Sequence, residues 1–82
     1  MPEITRFYGI VIKLYFKDHN LPHFHAEYSG YKGVFDIYTL EIIDGNLPKT
    51  AIELIKKWGS LHKEELSVIW DTQEFRKIEG LE

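Results

Sequence analysis

Residues 10–16, IVIKLYF, alternate Ile10, Ile12, Leu14 and Phe16 against Val11, Lys13 and Tyr15. That period of two predicts a strand with one apolar face. Residues 4–8 predict a separate short strand, with Gly9 as a bend or bulge between the two. A second alternating run covers 23–28 and closes at Ser29-Gly30, and a third covers 33–38. A short run at 40–43 ends at Asp44-Gly45, a tight-turn dipeptide. Between the first two long runs, DHNLP at 18–22 predicts a polar turn, because Asp and Asn bond their own backbone and Pro22 holds Leu21 extended.

From Pro48 the apolar period changes to 3.6. Ala51, Ile55, Trp58, His62, Leu66 and Ile69 fall within about 40° of one line at 100° per residue. The outer face carries Glu53, Lys56, Lys57, Ser60, Lys63 and Glu64. One long helix over about 48–71 follows, with Trp58 in the core, and a tail over 72–82 with an extended piece at Arg76–Ile78. Strands first and a helix last predict an α+β domain. Its form is a small antiparallel sheet of three to four strands with one long C-terminal helix across one face. The 82 residues make a single domain, with no repeat, linker or low-complexity tract.

Composition narrows the class. A 44% apolar content with five Phe, five Tyr and two Trp excludes a disordered chain. Zero Cys excludes disulfides and thiolate metal sites. No run reaches the ~18 apolar residues of a membrane span and the start lacks signal-peptide build, so a cytoplasmic protein without a membrane partner is expected. Ten basic against thirteen acidic residues give a net charge of −3, which opposes general attraction to phosphate. Residues 1–33 carry four basic and three acidic side chains and three of the four His.

The histidines are the candidate chemistry. On an extended strand His23, His25 and Glu27 project to one face and Phe24, Ala26 and Tyr28 to the other. His-x-His on a strand is a metal-ligand spacing, because both imidazoles reach one point above the sheet. His62 lies at the centre of the helix stripe, Glu65 stands one turn on, and Gly59 leaves room for a close approach. If the helix covers the face bearing His23 and His25, then His23, His25, His62 and Glu65 converge as candidate ligands for a divalent metal. His25 and His62 then become candidate acid–base catalysts. If Phe24, Ala26 and Tyr28 face the helix instead, His23 and His25 lie outside, far from His62, and His62 needs another partner. The residues leave both arrangements open.

RFYGIVIKLYFKDHNLPHFHAEYSGY, then TLEIIDGNLP, then a helix with W-x-x-LHKEEL and a tail RKIEGL resemble the small bacterial family called domain of unknown function 4160. The resemblance spans nearly the whole chain. It departs from the family at Leu21-Pro22, where Pro-Pro is usual, and at Gly80, where the usual tail has Pro. It implies Asp18, His19, His23, His25, His62 and Glu65 as motif residues. It also implies a genomic setting, since genes of the family often lie beside those of domain of unknown function 2442 in toxin–antitoxin-like pairs. Three functions follow as expectations. The first is a regulatory or interaction module that binds a companion small protein or forms a homodimer through a sheet edge. The second is a His- or metal-dependent nuclease or phosphodiesterase, with Arg6, Lys13, Lys17 and Lys32 to hold phosphate. The third and weakest is nucleic-acid binding without chemistry.

Overall fold

The computed structural model describes residues 3–14 and 22–81. Five strands form one antiparallel sheet: β1 (Glu3–Phe7), β2 (Ile10–Lys13), β3 (His23–Tyr28), β4 (Tyr31–Asp36) and β5 (Ile42–Asn46). Their spatial order is their chain order. Helices α1 (Lys49–Leu61) and α2 (Lys63–Thr72) follow. The α+β class holds, with five strands in place of three or four and two helices in place of one. The turn expected at 18–22 lies outside the described residues apart from Pro22. Among the described residues no helix is long and apolar enough to cross a membrane.

Two of the strand connections are two-residue turns that the dipeptides dictate. Tyr8 and Gly9 have φ of 49° and 79°, and Ser29 and Gly30 have 49° and 87°. Positive φ at both central positions is the type I′ requirement, and that twist matches the right-handed twist of the flanking strands. Phe7 therefore sits opposite Ile10, and Tyr28 opposite Tyr31. Asp44-Gly45, expected to close a strand, lies inside β5 instead. Gly45 takes φ 84° opposite Gly33, beside a register shift between Val34 and Phe35.

One sheet face makes the core. Ile10, Ile12, Phe24, Ala26, Phe35, Ile37, Ala51, Ile55, Trp58, Leu66 and Ile69 are almost fully buried. The stripe predicted for the helix thus holds at every position except His62, which is only partly buried. Phe24 stacks on Phe35 at 5.4 Å and meets Trp58 edge-on at 5.8 Å, while Phe7 stacks on Trp58 at 5.7 Å.

The helical segment breaks at His62, whose φ of −122° and ψ of 22° are not helical. Its N–H is shared between the Trp58 and Gly59 carbonyls, and its own carbonyl accepts from Leu66 N–H to start α2. A straight helix over 48–71 would run about 36 Å. The longest dimension of the molecule is 30 Å, so the break lets both halves stay on the sheet. Gly59 admits a close approach, as its lack of a side chain suggested: a Cβ there would stand 2.6 Å from Leu40 Cδ2.

The tail completes the core at the β1 edge. Ile78, 4% exposed, donates its N–H to the Ile4 carbonyl at 3.1 Å. The Trp58 indole Nε1–H donates to the Glu79 carbonyl at 2.8 Å. Ile78 therefore belongs to the chain's own core.

Candidate functional site

Strand β3 carries the motif histidines, and its alternation decides their surroundings. Phe24 and Ala26 are fully buried beneath the helices, whereas His25 and Glu27 are half-buried on the other face. Of the two arrangements the sequence allows, the structure has the one in which the helices cover the Phe24 face. The reason lies in register. The apolar face of β2 pairs Ile12 with Ala26, and Phe24 pairs with Phe35, so the apolar side chains of neighbouring strands line up on one side.

On the uncovered face His25 lies between Lys13 of β2 and Val34 of β4, and Glu27 lies between Val11 and Lys32. Val34 in turn faces Asp44 of β5. Lys13 Nζ reaches Glu27 at 3.2 Å, two residues along from its direct partner His25. Between β3, β4 and β5 a cleft of about 140 Å³ is lined by His25, Glu27, Lys32, Val34 and Asp44 with the backbone of Gly33 and Gly45. Such a volume suits one side chain of a docking partner or a few waters. Sequence reasoning singled out His25 and Glu27 but missed Val34 and Asp44. Their signal was the alternation of 33–38 read across to its neighbour, which needs the pairing register.

His23, at the start of β3, is 5% exposed. Its ring centroid lies 5.3 Å from His25 and 5.1 Å from Trp70 of α2, so the end of α2 reaches the end of the central strand. His62 stands at the helix break, 5.5 Å from Trp58, with its Nδ1–H donating to Glu65 Oε1. A carboxylate only accepts, so this contact fixes the tautomer and leaves Nε2 as the acceptor of the neutral ring. The expected set His23, His25, His62 and Glu65 thus divides into two pairs. His23 and His25 meet on β3, and His62 and Glu65 meet on the helix side of the sheet. Among the described residues no three His, Asp or Glu side chains group so as to hold a metal ion. Asp18 and His19 lie outside the described residues.

At the β1 edge Arg6 donates to both carboxylate oxygens of Glu3, at 3.2 and 2.9 Å. This fork holds the Glu3 carboxyl below its usual range and raises the Arg6 guanidinium. A depressed carboxylate stabilises the fold above its unfolded pKa and loses that contribution as pH falls through the folded one. Both groups are solvated, so the gain is screened by salt. A carbon-detected NMR titration is expected to show the Glu3 carboxyl protonating at higher pH in Arg6→Gln than in the wild-type chain.

No curated protein and no solved structure matches the chain. The model of the family described as a domain of unknown function, DUF4160, matches residues 9–71, from the first hairpin turn through nearly all of α2, and the chain belongs to that family.

Proposed function

We propose that this protein is a small bacterial, cytoplasmic interaction module that docks a protein partner on the uncovered face of its sheet, as one member of a toxin–antitoxin-like or regulatory pair. One observation carries the reading: His25 and Glu27, on the strand that holds the motif, lie half-buried on the face opposite the Phe24 core, a face that α2 meets at its His23 end through Trp70. A core role would have turned them inward, and a half-buried strand face with alternating charges and two valines suits recognition of a partner. Lys13, Lys32, Glu27 and Asp44 make that face electrostatically mixed, which favours a protein with complementary charges over a polyphosphate.

The test is co-purification with the product of an adjacent gene of the domain of unknown function 2442 kind. A stable complex is expected for the wild-type chain. Lys32→Glu with Val34→Lys is expected to weaken it at least tenfold, about 1.4 kcal/mol, while the melting temperature holds. No complex with the companion, or a complex indifferent to those substitutions, would sink the proposal.

A second reading, a His-dependent nuclease or phosphodiesterase, draws on the His62–Glu65 contact alone. A carboxylate on Nδ1 orients the imidazole and leaves Nε2 free to face a substrate, as in acid–base pairs of hydrolases. RNA cleavage by purified protein, abolished in His62→Ala without loss of folding, would favour it.

A further inference from the structure

The last described residues lie in a groove whose fit is more specific than a loose end requires. The groove runs between β1 and α1. Ile78 buries its side chain there, and Glu79 receives the indole N–H of Trp58. Gly80 passes so close to β1 that a Cβ would stand 2.8 Å from Phe7 Cβ and 3.1 Å from the Arg6 carbonyl oxygen. Leu81 packs against the core beyond it. The groove therefore reads an extended Ile-x-Gly-Leu segment: an apolar side chain, a backbone carbonyl and a position without a side chain.

The segment joining this anchor to α2 is built differently. Residues 74–77 are exposed, and Gln73 stands at φ 58°, its N–H donating to the Ile69 carbonyl. A left-handed residue at a helix end is commonly Gly, with Asn next; Gln carries a Cβ and gains no local side-chain bond to offset the strain. Gln73, Glu74, Arg76 and Lys77 are all good helix formers, and neither Gly nor Pro occurs between Gln73 and Gly80. Continuing α2 through 73–76 removes the left-handed residue and carries Lys77–Leu81 away from its own groove.

We propose that the groove between β1 and α1 is a strand-exchange site that takes residues 78–81 of a second copy, while that copy takes the tail of the first. The arrangement is a closed two-fold dimer in which every tail contact is kept and only the hinge conformation changes. Relief of the strained hinge favours it and the entropy of association opposes it, so the dimer grows with concentration. This site lies at the opposite edge of the sheet from the cleft between β3, β4 and β5, and it stands or falls independently of the companion protein.

The absence of Cys allows a direct test. Glu3 and Lys77 line one shallow depression at the β1 edge, so their positions are close. A chain with Glu3→Cys alone is mixed with a chain with Lys77→Cys alone and oxidised at millimolar concentration. Exchange is expected to give a covalent heterodimer selectively, at least tenfold above a control in which Lys57→Cys, on the outer face of α1, replaces Lys77→Cys. Sedimentation velocity of the wild-type chain is expected to show a concentration-dependent dimer, and Gln73→Gly, which removes the hinge strain, is expected to weaken it severalfold. A chain monomeric at every concentration, or a dimer in which the two cysteine pairs cross-link equally, would overturn the proposal. These readouts use the chain alone, so they are unaffected by the outcome with the companion.

Discussion

Trp58→Ala is expected to cost about 3–5 kcal/mol, enough to unfold most of a domain of this size. The indole is fully buried, stacks on Phe7, and meets Phe24 edge-on. Its Nε1–H also holds the tail through the Glu79 carbonyl. Truncation therefore opens a cavity at the meeting point of β1, β3 and α1 and releases the last residues together. Trp58→Phe keeps most of the ring and loses the hydrogen bond, for about 1–2 kcal/mol. Chemical denaturation separates the two, and an unchanged midpoint for Trp58→Ala would refute the central place given to this side chain.

The second large effect is expected at Gly45. Its φ of 84° disfavours any residue with a Cβ, and a Cβ there would overlap the Lys32 carbonyl oxygen and stand 2.9 Å from Gly33 Cα. These are backbone atoms of the adjacent strand and cannot swing aside. Gly45→Ala is expected to cost roughly 2–4 kcal/mol. Gly30→Ala supplies the reference, because Gly30 has φ of 87° with open space around it; it is expected to cost only about 1–2 kcal/mol. Equal costs at the two sites would show that β5 relaxes around the added methyl. Loss at Gly45 would also reshape the cleft beside His25, since Gly45 and Asp44 line it.

Several features were legible because they depend on short-range pattern. Ala51, Ile55, Trp58, Leu66 and Ile69 mark the buried stripe by period alone, and β2 and β3 show their alternation within a few residues. The break at His62 was not legible. Gly59 and Ser60 are helix disfavourers that a longer helix tolerates, so local propensity alone does not place the break that the His62 backbone makes. β5 was cut short because Asp-Gly is read as a turn, whereas here Gly45 serves the close approach of β4.

The candidate site was legible in its residues and not in its grouping. His62 and Glu65 are three apart on one helical turn, so their contact follows from spacing, and His23 with His25 follows from strand alternation. Whether the two pairs meet depends on which face of β3 the helices cover. That is set by the register of β3 against β2, across a connection whose length in residues does not fix its geometry. Ile12 opposite Ala26 is the observation that decides it.

The strand order has a consequence for how the chain folds. Each strand lies beside its neighbour in the sequence, and two of the connections are two-residue turns. Loops that short close at little entropic cost, so the hairpins β1–β2 and β3–β4 can form early and independently, which favours rapid folding for a β-rich protein. The contact of Ile78 with Ile4 joins residues from nearly opposite ends of the chain and gains little until β1 and α1 are in place. Closing the β1 edge is thus expected to come after the hairpins, and substitutions at Ile78 are expected to speed unfolding while leaving the folding rate nearly unchanged.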